Sequence, residues 1–186
     1  MDLTTDVDLD QLIARYGCRA FVETGTGSGK GIEAAAGSSF DQIFSIEAAH
    51  KPALDAGLRF AKNHKVTVIH AKAERGLKEV LVELAPSTPT LFRLDAQWQG
   101  AATAPMPAER SLRLLAQCRD LSRDVVLIDD LRLYEDGNFE KGPCPPDRLP
   151  APEQRHLRFV EEILGKTHRF ERSYQQTGHL CACPKA

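Results

Sequence analysis

The stretch Glu23-Thr24-Gly25-Thr26-Gly27-Ser28-Gly29 concentrates the most chemistry in this chain: three glycines at alternate positions, led by an acid. Glycines so placed let a backbone turn tightly and come close to a ligand, and a helix starting there offers free N–H groups. Two nucleotide readings fail on spacing. A P-loop needs four residues between its glycines and then Gly-Lys-Ser/Thr, whereas three residues separate Gly25 from Gly29 and Gly31 follows Lys30. A dinucleotide fingerprint, G-x-G-x-x-G, begun at Gly25 puts Lys30 in the third glycine's place, and begun at Gly27 puts Ile32 there. A pyrophosphate would also meet the like charge of Glu23. A second acid, Glu47, stands 18 residues after Gly29, at the end of the run IFSI. Taken alone, the cluster also reads as an ordinary turn.

Three more carboxylates follow apolar runs. Asp95 ends TLFRL, and Asp129 with Asp130 ends VVLI. Ligands of an open α/β sheet bind outside the carboxyl ends of its strands, so all three acids face a common crevice. Two neighbouring strands delivering carboxylates to one rim suit Mg²⁺, a hard cation that takes oxygen ligands. Loop capping without a metal is the competing reading. His179, Cys181 and Cys183 alternate along a strand, but a C-x-C on a strand holds its thiols awkwardly for zinc, which favours a buried strand. Cys144 lies between prolines and is expected to be exposed.

The elements that must position these groups alternate. Strands are expected at 18–24, 42–48, 66–71, 90–96 and 124–130, with helices at 30–37, 51–63, 76–85 and 107–121 between them. Five prolines within 143–152 exclude regular structure, so 131–155 reads as a crossing loop, lid or acceptor loop. A helix near 152–166 precedes a hairpin of 168–174 and 178–184. Alternation of this kind implies a mostly parallel sheet with helices on both faces, and the terminal hairpin implies an antiparallel last strand.

Length supports one domain over 1–186. A net charge of −2 gives no electrostatic case for nucleic acid. No apolar run spans a bilayer, and the aspartate-rich start is the opposite of a secretory leader. Five scattered cysteines read as reduced thiols. Together these make the cytoplasm the expected location.

The pattern E-x-G-x-G-x-G resembles the first motif of class I S-adenosylmethionine-dependent methyltransferases. More narrowly, VETGTGSGKG, FSIEAAHKPAL, TLFRLDAQWQG and VVLIDDLRLY are similar to a methyltransferase-like group patterned V-E-T-G-T, S-I-E, F-W-L-D-A-H and L-I-D-D-A-R. The resemblance covers about residues 18–184 and implies a Rossmann-like seven-stranded fold. It implies S-adenosyl-L-methionine as cofactor, held by Glu23, Gly25, Thr26, Gly27, Gly29 and Glu47, with Glu47 at the two ribose hydroxyls, about 20 residues past the loop, and Asp95 alongside. Glu74 is the candidate for the adenine, against an exposed helix-capping acid. A likeness to metal-dependent sugar O-methyltransferases implies Asp95, Asp129 and Asp130 as Mg²⁺ ligands, and Asp95, Gln97 and Asp130 as the catalytic positions. Gln97 stands where those enzymes carry an aspartate base, and an amide cannot accept a proton usefully. His50, His70, His156 and His179 are replacements by type. The chain is therefore expected to be a methyltransferase using a small-molecule acceptor. The alternative is a cofactor-binding sensor or partner subunit without turnover. Neither nucleic acid nor membrane is an expected partner, and a homodimer is a candidate assembly.

Overall fold

Alternation at period two sends successive side chains of each strand to opposite faces, and here both faces are apolar. A computed structural model describes residues 7–96 and 105–185. Five strands pair in parallel: β1 (Ala20–Thr24), β2 (Gln42–Glu47), β3 (Val66–His70), β4 (Thr90–Leu94) and β5 (Val125–Asp129). The hairpin of β6 (His168–Ser173) and β7 (His179–Pro184) completes the sheet, with β7 antiparallel to both neighbours. The order is β3-β2-β1-β4-β5-β7-β6. The chain winds outward from β1 to β3 and then returns to β4 on β1's other side. That reversal opens a crevice above the carboxyl ends of β1 and β4.

Phe21, Ile43, Leu91, Val125, Leu127, Cys181 and Cys183 meet α1 (Leu9–Tyr16), α2 (Lys30–Gly37) and α3 (His50–Phe60) on one face. Val22, Phe44, Ile46, Phe92, Leu94, Val126 and Ile128 meet α4 (Ala73–Glu83), α5 (Pro107–Cys118) and α6 (Arg158–Leu164) on the other. Cys181 and Cys183 are buried 3.4 Å apart, in keeping with a packed strand.

Three details differ from expectation. Helix α1 lies where the sequence pattern announces no element. Leu9, Leu12, Ile13 and Tyr16 form its inner stripe, Asp8 caps it by accepting from the Gln11 N–H at 2.9 Å, and Gly17 ends it at φ +67°. The helix expected at 152–166 divides into a 3₁₀ turn, Pro152–Gln154, and α6. Arg155, between the two, donates to Asp136 at 2.6 Å and to the Arg132 carbonyl, which ties the crossing loop down. Cys144 is buried rather than exposed.

At the amino ends of β4 and β5, Asp124 accepts from Arg119 through both oxygens and from the Thr90 N–H at 2.9 Å. Both side chains of the ion pair are almost fully buried. Removing one partner of such a pair strands the other charge. Asp124→Ala is therefore expected to cost about 3–5 kcal/mol in urea unfolding, with α5 losing its anchor to β4 and β5.

Candidate functional site

The loop after β1 adopts its shape because Gly25, Gly27 and Gly29 all take positive φ, at +91°, +52° and +79°. Each supplies a different property. A Cβ on Gly25 would lie 2.5 Å from the Asp95 carbonyl oxygen, so this glycine lets the loop pack against the end of β4. A Cβ on Gly27 would meet nothing within 4 Å, so the loop is open there. Gly29 caps the start of α2 in a left-handed conformation. Glu47, at the end of β2, accepts from the Gly27 N–H at 3.0 Å and from the Ala49 N–H at 2.8 Å. The ribose candidate thus stands directly over the open glycine. A carboxylate beside an unfilled glycine cradle fits the ribose and methionine ends of S-adenosylmethionine.

Beneath the loop runs a continuous polar network. Thr26 Oγ1 lies 2.6 Å from Ser45 Oγ, and Ser45 donates to Glu23 Oε1 at 2.6 Å. The other Glu23 oxygen accepts from Arg93 Nη1 at 3.1 Å. Arg93 Nη2 then donates to Asp95 at 2.7 Å, while Nε and Nη2 both reach Asp129 Oδ2. Arg93 is 4% exposed and Glu23 wholly buried. The first turn of α2 lies directly over this pair: a Cβ on Gly31 would come within 1.9 Å of Glu23 Oε2. Glu23 therefore supports the cradle from below rather than lining it.

Arg93 is the residue that sequence reasoning missed. Its signal was a guanidinium inside TLFRL, at the position where the similar group carries Trp in F-W-L-D-A-H. Ser45, interrupting IFSIE, and Gly31 belong to the same arrangement.

Of the three aspartates, two converge, and they do so on an arginine. Asp95 and Asp129 are held by Arg93, whereas Asp130, in a left-handed conformation at φ +49°, forks onto Arg132 at 2.9 and 3.2 Å. The second Asp129 oxygen accepts from the Asp130 N–H at 2.8 Å. Among the described residues no group of three acidic, histidine or cysteine side chains is placed to hold a metal. The donor placement gives the Mg²⁺ site expected from sequence no support, because arginines engage Asp95, Asp129 and Asp130. Glu74, in the first turn of α4, pairs with Arg110 of α5. Burial raises its carboxyl, but the Arg110 contact outweighs that and holds it below the usual range. Gln97 lies outside the described residues. Of the four histidines considered, His179 stands opposite Asp129 in the β5–β7 register, and His50 packs edge-on against His70 at 5.2 Å. A cavity of about 300 Å³ opens on the sheet face beneath α1, bordered by Phe21, Leu127, Arg93, Asp8 and Asp10. None of the loop glycines of 25–29 lines it.

One guanidinium faces three carboxylates, one buried and two half-buried. Burial pushes Glu23 above its usual range against the pull of Arg93 and Ser45. Burial also raises Asp95 well above its own, with Asp129, Glu23 and Asp130 adding to the rise and Arg93 offsetting only part. Burial works to lower Arg93, but Asp95, Asp129 and Glu23 outweigh it and keep it protonated.

No protein-family model matches the chain, and no curated protein matches it in sequence. Solved structures match its fold. An O-methyltransferase from Bacillus cereus, in complex with S-adenosylhomocysteine, is 18% identical with a TM-score of 0.65, over 97% of this chain and 83% of that one. An O-methyltransferase from Streptomyces achromogenes, involved in tomaymycin synthesis and in complex with S-adenosylmethionine, is 19% identical with a TM-score of 0.63, over 96% and 78%. A methyltransferase from Aquifex aeolicus dependent on S-adenosylmethionine is 14% identical with a TM-score of 0.55, over 94% and 87%. The chain has the Rossmann-like fold of class I methyltransferases.

A raised carboxyl makes stability depend on pH. Folded Asp95 keeps a proton that the unfolded chain releases near pH ~4, so stability falls as pH rises from there towards the folded value. In Asp95→Asn that contribution disappears. Melting temperatures taken across the acidic to neutral range should decline less steeply in the variant than in the wild type.

Proposed function

We propose that this chain is an S-adenosylmethionine-dependent methyltransferase acting on a small-molecule acceptor. One observation carries the reading. The left-handed loop of Gly25, Gly27 and Gly29 is open at Gly27, and Glu47 stands over that opening at the carboxyl end of the neighbouring strand. Glu47 would hold the ribose hydroxyls, and Gly25, Thr26, Gly27 and Gly29 would line the methionine end. Bound there, S-adenosylmethionine supplies an electrophilic methyl group. Glu23 and Ser45 keep Thr26 and the loop in place from below, so little ordering is left for the ligand to impose. Asp95, whose carbonyl abuts Gly25, lies between the loop and the β5 rim. His179, opposite Asp129 in the β5–β7 register, is the candidate to take the acceptor's proton. Glu74 is the adenine candidate, provided that Arg110 releases it. Mg²⁺ assistance finds no support in the donor placement, and no step here uses it. The interior of a cell, where the donor is found, is the compartment the reading implies.

A second reading is favoured by Arg93's hold on Asp95 and Asp129. With those carboxylates engaged, the protein would bind the cofactor as a sensor or partner subunit without turnover. Calorimetry with S-adenosylmethionine and S-adenosylhomocysteine, followed by a methyl-transfer screen of hydroxylated and amino metabolites, separates the two. Tight binding and turnover support the enzyme, whereas tight binding with no transfer to any acceptor supports the sensor. Absence of binding overturns both.

Gly27→Val is expected to abolish S-adenosylhomocysteine binding, because a branched side chain fills the opening and resists φ near +52°. Glu47→Ala should weaken binding by about 2–3 kcal/mol, the scale of hydrogen bonds to a charged group, with little change in apo stability. Normal affinity in a folded Gly27→Val protein rules the loop out as the cofactor cradle.

A further inference from the structure

We infer that Arg93 is a built-in cation that stands in for a divalent metal at the β4–β5 rim, so that the site works without metal and binds none. The inference concerns the same site as the proposed methyltransferase reading but stands on the geometry of the carboxylates. Acids from two strands reach one place, as a metal site requires, yet a guanidinium lies among them. Arg93 donates to Asp129 from Nε at 3.1 Å, to Glu23 from Nη1 at 3.1 Å and to Asp95 from Nη2 at 2.7 Å, with a further Nη2 contact to Asp129.

Two properties of the guanidinium set the chemistry of the rim. It is permanently charged and forked, so one side chain orients carboxylates from β1, β4 and β5 together. A hydrated Mg²⁺ would need open coordination positions and the same oxygens. Arg93 offers an acceptor no such position: it is 4% exposed, and Nε, Nη1 and Nη2 each donate to a protein carboxylate. The third acid of the rim is also spent, since Asp130 forks onto Arg132. The rim therefore orients groups and balances charge, and it does not polarise an acceptor hydroxyl as a metal ion would.

The position is also structural glue. Through Glu23 and Ser45, Arg93 is linked to Thr26 of the cofactor loop, and through Asp95 and Asp129 it is linked to the rim. Arg93 is thus a positioning residue that joins the two halves of the site. Gly31 is the local requirement for it, because any Cβ there would collide with Glu23 and lie 2.8 Å from Arg93 Nη1.

The test titrates Mn²⁺ alone into the full chain and follows it by electron paramagnetic resonance. In the wild type no stoichiometric Mn²⁺ site is expected below roughly 1 mM, the weak end for oxygen-donor sites. Arg93→Met leaves Glu23, Asp95 and Asp129 without their cation and should acquire Mn²⁺ affinity at least about tenfold tighter, or about 1.4 kcal/mol. Adding Asp129→Asn to that variant should remove the gain. If Arg93→Met does not fold, the wild-type titration decides by itself. One Mn²⁺ per wild-type chain at micromolar concentration, lost in Asp129→Asn, overturns the inference. S-adenosylhomocysteine affinity measured in chelator and in Mn²⁺ should agree within about twofold. Because metal binding is read without cofactor, failure here is distinct from failure of the methyltransferase reading, which would show as absent cofactor binding.

Discussion

Burying a guanidinium obliges a fold to bring it anions, since an unpaired charge in the interior costs several kcal/mol. Arg93 sits at the carboxyl end of the central strand β4, and its demand shapes what surrounds it. Glu23 comes from β1, Asp129 from β5 and Asp95 from just past β4 itself. Once Glu23 is committed, Ser45 on β2 must donate to it, and Thr26 must lean on Ser45. Helix α2 can start above this cluster only with glycine at position 31. A single buried charge thus couples four strands, one helix and the loop between them.

The coupling has a functional sense. A loop built from positive-φ glycines is floppy by composition, because glycine loses the most conformational freedom on ordering. Here the floor beneath the loop is a hydrogen-bonded network, and Gly25 is pressed against the Asp95 carbonyl. The loop is held from below and stays open above Gly27, the condition for binding without a large ordering cost. Low exposure strengthens every contact in the network, and it also makes the network intolerant of a missing member.

Much of the architecture was legible in the chain. The β-branched runs VTVIH and VVLID, the helix starting with Pro107 and the terminal hairpin each appear within a few residues of their expected bounds. Period-two patterning and apolar content suffice for that, because both are local. Helix α1 escaped notice because its aspartates read as charge at a chain start, although Asp8 is a cap and the apolar stripe behind it has helical spacing. The split before α6 depends on Arg155 finding Asp136, a partner in another turn, and nothing at 152–158 announces it.

By itself, then, the sequence determined the seven-stranded order of elements, the glycine loop at the end of β1 and the acids at the ends of β2, β4 and β5. All of these come from local spacing. Which acids meet an arginine and which stand over the glycine loop was decided only by tertiary structure. Glu23, Asp95 and Asp129 share with Glu47 a place at the end of an apolar run, and all four read as facing a ligand or a metal. Packing separates them: Arg93 projects from β4 onto the face where Glu23 and Asp129 also project, while Glu47 stands beyond its reach over the open loop. A charge inside an apolar strand declares only that partners must exist. Their identity depends on the sheet register, which pairs Glu23 with Arg93 and Arg93 with Leu127, two residues before Asp129.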